Sequence, residues 1–281
     1  MKQVSALALL AMLASTPLAA ETVKLTLLGV GDVYNFEEED GRGGFARLNA
    51  VAKAERAANP NTLYLFNGDM LSPSLASGFD KGQNTIDFTN LVPFDLAVPG
   101  NHEFDFGPEN FIEKLKASKY PWAAINITND DGSPVEGLGG VMVKEVGGLK
   151  VALIPVAQDT SPEVSSTGSL KFLPTVETGV AAAEKAREEG ADLVVGVVQT
   201  NMENDRALMA SGAFDVILSG DDHSYATAYD GRTAYVETSI DGQFLSPVDL
   251  TVEIEVKDDG TREISWTPAF RFIDTATVTP D

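Results

Sequence analysis

The chain has no cysteine and only two histidines among its 281 residues. The lack of cysteine excludes disulfide bonds, thiolate catalysis, cysteine-ligated zinc, iron–sulfur clusters and thioether lipid anchors. Because His102 and His223 are the only imidazoles, a site built from three or more histidines is also excluded. Basic residues are scarce: 20 Lys and Arg stand against 42 Asp and Glu, a net charge of −22. We therefore expect neither a nucleic acid nor an anionic membrane as a partner, since both would be repelled.

The first 20 residues have the composition of a secretory leader. Lys2 supplies a basic end, an apolar run extends from Val4 to Leu13, and small residues follow up to Ala20. The run is shorter than the ~20 residues that a membrane-spanning helix needs, so a signal peptide is favoured over a membrane anchor. The sequence thus predicts a periplasmic or secreted protein with one domain over residues 21–281.

Short apolar runs alternate with helical patterns over most of the chain. Strands are predicted at residues 23–30, 62–66, 94–98, 122–125, 141–146, 149–156, 193–198 and 214–218. Helices are predicted at residues 45–57, 108–117, 176–189 and 202–210. Residues 233–237, 248–256 and 263–272 alternate like antiparallel strands. This order predicts a single α/β domain with two packed sheets and helices outside them.

Polar clusters follow five of the predicted strands. They are Gly31-Asp32-Val33-Tyr34, Asn67-Gly68-Asp69, Gly100-Asn101-His102-Glu103-Phe104-Asp105, Thr200-Asn201 and Gly220-Asp221-Asp222-His223. Ligands of α/β sheets collect at the carboxyl ends of strands, so the clusters predict a metal-binding rim. Each cluster alone is more typical of a turn or a helix cap than of a site. Their ordered recurrence, with both histidines among them, favours a site.

In this order the clusters resemble the calcineurin-like metallophosphoesterases, and more closely the catalytic domain of the bacterial 5′-nucleotidase family. Residues 100–105, Gly-Asn-His-Glu-Phe-Asp, match the family motif at every position. Gly68-Asp69, residues 43–48 and Asn126 also fit, and the resemblance extends over about residues 23–256. It implies a four-layer α/β-β/α sandwich.

The resemblance also implies a two-metal centre that hydrolyses small phosphorylated substrates. Asp69 would bridge the ions, Asp32 and His223 would bind one of them, and Asn101 would bind the other. His102 would act as general acid or stabilise the transition state, with Asp105 orienting its ring. In this mechanism a metal-bridging hydroxide attacks phosphorus in line.

Three positions that are histidine in the family carry other residues here, namely Tyr34, Asn201 and Asp221. All three offer oxygen, which favours a retuned site over a lost one. The first site would comprise Asp32, Tyr34, Asp69 and His223. This hard donor set suits Fe³⁺. The second would comprise Asp69, Asn101, Asn201 and Asp221. Four oxygen donors suit Ca²⁺, Mg²⁺ or Mn²⁺ better than Zn²⁺.

The sequence therefore predicts an exported metal-dependent hydrolase of phosphate esters. Two alternatives stay open: a non-catalytic protein that binds a metal or a phosphorylated ligand on the same fold, and a hydrolase of a sulfur-linked ester. Family members that cleave nucleotides usually carry a further C-terminal domain, and the residues after 256 do not resemble it. Nucleotide specificity is therefore not predicted.

Overall fold

Two β-sheets form the centre of the computed structural model, which describes residues 21–281. The predicted signal peptide, residues 1–20, lies outside the described residues. The strands are β1 (Glu21–Val30), β2 (Thr62–Asn67), β3 (Leu96–Val98), β4 (Ile127–Thr128), β5 (Met142–Val146), β6 (Leu149–Val156), β7 (Lys171–Phe172), β8 (Leu193–Gln199), β9 (Val216–Gly220), β10 (Tyr225–Tyr229), β11 (Ala234–Thr238), β12 (Phe244–Leu245), β13 (Val248–Val256), β14 (Arg262–Phe270) and β15 (Ile273–Asp274). The first sheet has the order β14-β13-β1-β2-β3, and the second has the order β10-β11-β9-β8-β6-β5.

Helices cover the outer faces of these sheets. They are α1 (Phe45–Ala58), α2 (Ser77–Asp80), α3 (Gln83–Thr89), α4 (Pro108–Ala117), α5 (Ser161–Val164), α6 (Thr175–Glu188) and α7 (Met202–Ser211), with 3-10 turns at His102–Phe104 and Thr275–Thr277. Pro108 begins α4, where its fixed φ and missing N–H carry no penalty. None of the helices within residues 21–281 is long and apolar enough to cross a membrane.

The alternation of side chains along the strands produces the layers. In β1, Leu27 belongs to the apolar cluster between the two sheets, whereas Leu28 belongs to the cluster beneath α1. A third cluster, which includes Phe214, joins the outer face of the second sheet to α6 and α7. Successive side chains on a strand point to opposite faces, so three apolar layers separate helices, sheet, sheet and helices. The predicted four-layer α/β-β/α sandwich is confirmed.

Parallel pairing gathers the predicted polar clusters at one edge of the molecule. β1, β2 and β3 are parallel in the first sheet, and β6, β8, β9 and β11 are parallel in the second. The loops that follow β1, β2, β3, β8 and β9 carry the five clusters. Neighbouring parallel strands end on the same side, so residues far apart in sequence meet there.

The structure differs from the predicted elements in a few places. Residues 122–125 form isolated bridges rather than a strand, because Trp122 pairs with Ala97 and Ala123 pairs with Gly139. Helices α2, α3 and α5 and strands β4, β7, β10, β12 and β15 were not predicted. Strand β10 alternates weakly because nearly all of its side chains are exposed, as is usual for an edge strand.

Candidate metal centre

Asp32 and Asp69 form the buried acidic centre of the site. The backbone N–H of Val33 donates to the Asp69 carbonyl at 2.8 Å, and that of Asp32 donates to the Gly68 carbonyl at 2.8 Å. Both aspartates have positive φ, 55° and 68°, which is uncommon outside glycine and clusters at functional sites. Their side chains are buried. Burial raises the pKa of Asp32 to about 7 and raises that of Asp69 well above its ordinary value.

Tyr34 and His223 complete a compact set of donor atoms around Asp32. The Tyr34 hydroxyl lies 2.8 Å from His223 Nε2 and 3.3 Å from Asp32 Oδ1. His223 Nε2 lies 3.7 Å from the same carboxylate oxygen. Asp241 fixes the Tyr34 loop, because its Oδ1 accepts the backbone N–H groups of Tyr34 and Asn35 at 2.8 and 2.9 Å.

The predicted catalytic pair, His102 and Asp105, is assembled beside this set. His102 Nδ1 lies 2.7 Å from Asp105 Oδ2. Ser72 donates to Asp105 Oδ2, and Ser165 donates to Asp105 Oδ1 at 2.6 Å. Burial lowers the pKa of His102, but the hydrogen bond and charge of Asp105 outweigh it, so the net pKa is raised. The His102 backbone N–H donates to Asp69 Oδ1 at 2.8 Å, which fixes the pair relative to the acidic centre.

Glu103 holds the loops that carry these residues. Its buried carboxylate accepts the backbone N–H groups of Asp69, Met70, Leu71 and Gly100 at 2.8, 2.8, 3.2 and 2.6 Å. The sequence motif gave Glu103 no role. Backbone N–H groups are present whatever the residue type, so the sequence does not show that Glu103 binds four of them. Glu103 joins the loop after β2 to the loop after β3.

The predicted ligands of the second metal ion make different contacts from those of the first. The Asn201 side-chain oxygen accepts from Asn204 N at 3.1 Å and caps helix α7. The Asp221 carboxylate faces the Gln158 amide, whose nitrogen reaches both carboxylate oxygens at 2.8 and 3.0 Å when turned toward them. Asn101 begins the 3-10 turn that carries His102. Three of the predicted ligands thus lie at the rim, but Asn201 and Asp221 are engaged by protein donors.

Gln199 lies in the acidic centre and was missed by the sequence analysis. It is the last residue of β8 and is fully buried. Its Nε2 lies 2.7 Å from Asp69 Oδ2 and 3.3 Å from Asp32 Oδ1. The available signal was its position, because a glutamine at the end of the apolar run Leu193–Val198 is costly to bury unless it is hydrogen-bonded.

The donor set around Asp32 fits one metal ion. Ligands about 2.1 Å from a tetrahedral ion lie about 3.4 Å apart, and the three distances among Asp32, Tyr34 and His223 run from 2.8 to 3.7 Å. Within residues 21–281, no group of three Asp, Glu, His or Cys side chains is arranged to hold an ion alone. In the predicted first site, Tyr34 would be the third donor beside Asp32 and His223. Burial raises the pKa of its hydroxyl far above the ordinary value, so ligation as tyrosinate would displace a bound proton.

A cavity of about 520 Å³ opens between the loops that follow β1 and β2. Its apolar wall includes Phe36, Leu75 and Phe79, and Leu75 and Phe79 are each 86% exposed. Asn35, next to Tyr34 in sequence, and Ser74, two residues after Ser72, also line it. The cavity therefore borders the loop that carries Tyr34 and the loop that carries Asp69 and Ser72, and it is large enough for part of a small organic substrate.

The family model described as calcineurin-like phosphoesterase matches residues 25–225. The chain belongs to this family. Members use two divalent metal ions, and the sequence resemblance is confirmed.

Several curated relatives are nucleotide hydrolases by name. An apyrase from Tabanus yao is 30% identical over 187 residues, covering 65% of this chain and 34% of the relative. The human 5′-nucleotidase is 27% identical over 272 residues, covering 90% of this chain and 46% of the relative. The chain therefore spans between about a third and a half of the length of these relatives.

Solved structures confirm the fold. The calcineurin-like phosphoesterase YfkN from Bacillus subtilis superposes with a TM-score of 0.75 at 21% identity, covering 92% of this chain and 93% of that one. The sulfate thiohydrolase SoxB from Thermus thermophilus superposes with a TM-score of 0.76 at 21% identity, covering 91% and 58%.

Proposed function

We propose that this chain is an exported metal-dependent hydrolase that cleaves phosphate esters with His102 as its general acid. The observation that carries the proposal is the His102–Asp105 pair, which is bonded through backbone to Asp69 and lies beside the donor set around Asp32. Its family membership supports a hydrolase. The names of its relatives make nucleoside phosphates the first substrates to test.

The hydrogen bonding of the pair defines the proton that His102 transfers. Nδ1 is engaged by Asp105, so Nε2 is the nitrogen available to the substrate. Asp105 raises the pKa of His102, which favours the imidazolium form whose Nε2–H can protonate the leaving oxygen. The Ser72 and Ser165 hydroxyls hold both carboxylate oxygens of Asp105, so the ring orientation is fixed before the substrate binds.

Asp32, Tyr34 and His223 would hold the ion, with Asp69 behind them. A bound metal ion would supply Lewis-acid polarisation of the phosphoryl group. Its positive charge would also offset the repulsion between the phosphoryl oxygens and these carboxylates. Oxygen-rich donors with one imidazole are hard ligands, and Fe³⁺ is the ion that they favour. Export is supported by the leader composition of residues 1–20. N-terminal sequencing of the mature protein tests it: a start at Ala20 or Glu21 is expected, and a retained Met1 would contradict it.

The function is tested by comparing the wild type with His102→Ala on a panel of phosphomonoesters and phosphodiesters. The protein is loaded in turn with iron, Mn²⁺, Mg²⁺ and Ca²⁺, and its metal content is measured alongside turnover. We expect His102→Ala to lose ~10²–10⁴-fold in kcat, the usual contribution of a general acid, while its metal content is unchanged. Normal turnover by His102→Ala would refute the role given to this residue.

A binding protein without turnover is the second candidate, and one observation favours it. The Gln199 amide lies between the carboxylates of Asp32 and Asp69, and Asn201 and Asp221 are engaged by protein donors. This function predicts stoichiometric binding of inorganic phosphate or a nucleoside monophosphate by calorimetry, with no hydrolysis under any of the four metals. Measurable turnover that depends on added metal would exclude it.

A further inference from the structure

We propose that the Gln199 amide takes the place of the second metal ion, so that this centre binds one ion where its family binds two. The inference rests on the proposed function only for the presence of the first ion, and it concerns the number of ions rather than the reaction.

The amide nitrogen bridges the two carboxylates that face each other in the acidic centre. Nε2 donates to Asp69 Oδ2 at 2.7 Å and to Asp32 Oδ1 at 3.3 Å. An amide nitrogen has two N–H groups, so one group serves each carboxylate. Two buried carboxylates repel each other, and a shared donor reduces that repulsion as a shared cation would.

The slot that holds the amide is closed by backbone on two sides. A Cβ added at Gly220 would lie 2.6 Å from Gln199 Oε1, and one added at Gly68 would lie 2.8 Å from the same oxygen. Rotating the amide by half a turn would bring Oε1 against both carboxylates, which is repulsive. Within residues 21–281 Oε1 has no hydrogen-bond donor, so the bonds of Nε2 set the orientation of the amide.

A bridging ion would compete with the amide for the same atoms. A second ion would share Asp69 with the first, and Gln199 Nε2 already donates to Asp69 Oδ2 at 2.7 Å. The other oxygen of Asp69 accepts the His102 backbone N–H at 2.8 Å, so the carboxylate has no oxygen free of a donor. Two of the other predicted donors to the second ion, Asn201 and Asp221, face protein donors as described above. The interactions therefore favour a single ion at Asp32, Tyr34 and His223.

The test counts metal ions in the full chain, without substrate. Chelator-treated wild type and Gln199→Met are titrated with Mn²⁺ by calorimetry, and bound metal is counted by mass spectrometry after desalting. Methionine keeps nearly the length and volume of glutamine but donates no hydrogen bond. We expect one ion per wild-type chain and two per Gln199→Met chain. Gln83→Met, the same change on helix α3, is the matched control and should still bind one ion.

A second measurement keeps the test decisive if the variant is unstable. Without metal, Gln199→Met leaves two buried carboxylates without their shared donor, so its thermal midpoint should fall below that of the wild type. Mn²⁺ should raise the midpoint of the variant more than that of the wild type, because ligand binding stabilises the folded state by mass action. The wild-type ion count is informative whether or not the variant folds.

Three results would overturn the inference. A wild-type count of two would show that Gln199 excludes nothing. A count of one in both proteins would show that another feature limits the site. Loss of the single ion in Gln199→Met would make the glutamine a ligand. One bound ion without any hydrolysis would support this inference but refute the proposed enzymatic function. Two bound ions with hydrolysis would refute this inference but support the proposed enzymatic function.

Discussion

Replacing Glu103 by glutamine should destabilise the protein strongly, although the two side chains have the same shape. Each carboxylate oxygen of Glu103 accepts two backbone N–H groups within the buried loops. The amide group of glutamine offers one accepting oxygen and one donating nitrogen. Two backbone N–H groups would therefore face a donor and lose their acceptor. Each unsatisfied buried N–H costs ~1–3 kcal/mol, so we expect a loss of about 2–6 kcal/mol in the free energy of unfolding.

Urea unfolding of the chelator-treated protein, followed by circular dichroism, measures this loss. Burial raises the pKa of Glu103, so the assay is run at about pH 8, because alkaline pH favours the ionised carboxylate. Glu113→Gln on the exposed face of α4 is the matched control and should change stability by less than about 0.5 kcal/mol. A loss below about 1 kcal/mol for Glu103→Gln would refute the idea that this carboxylate holds the two loops together.

Two further predictions concern the His102–Asp105 pair and the buried amide of Asn126. In chelator-treated protein, NMR titration should give His102 a pKa above the ordinary value and His223 one below it, and Asp105→Asn should lower that of His102. Because the pKa of His102 is raised in the folded state, its pairing with Asp105 stabilises the fold at pH values below the unfolded pKa. This stabilisation is lost as the pH rises through the folded pKa. If the difference in stability between wild type and Asp105→Asn were constant across that pH range, the result would contradict the pairing. The Asn126 amide bonds to Ala157 N, Ala157 O and Leu173 O, so Asn126→Ala should lower the free energy of unfolding by ~2–4 kcal/mol while metal binding is kept. An unchanged urea midpoint would contradict this structural role.

The layers of the fold could be predicted because each core strand is a run of apolar residues of strand length. Leu193–Val198 is one such run, and β8 is central in its sheet. The polar clusters could be placed at one edge because parallel strands end on the same side. Residues 122–125 look like a further apolar strand, yet they make only isolated bridges. Sequence pattern cannot show how many strand partners a short segment finds.

The contacts that organise the site could not be predicted from motifs. Gln199 and Asp32 are 167 positions apart, and the bond between them depends on how the two sheets face each other. Asn201 is an oxygen donor by residue type, but the local start of α7 uses that oxygen as a helix cap. The roles predicted for the site residues stay predictions: His102 and Asp105 in catalysis, and Asp32, Tyr34, Asp69, Asn101, Asn201, Asp221 and His223 as metal ligands.

The central claim is that Asp32, Tyr34 and His223 hold a metal ion beside the His102–Asp105 pair. The most direct measurement is the metal content of protein purified from its native compartment without added metal, taken together with its visible spectrum. We predict iron close to stoichiometry and a tyrosinate-to-iron charge-transfer band that Tyr34→Phe abolishes. Protein that contains no metal and takes none up on titration would contradict the account.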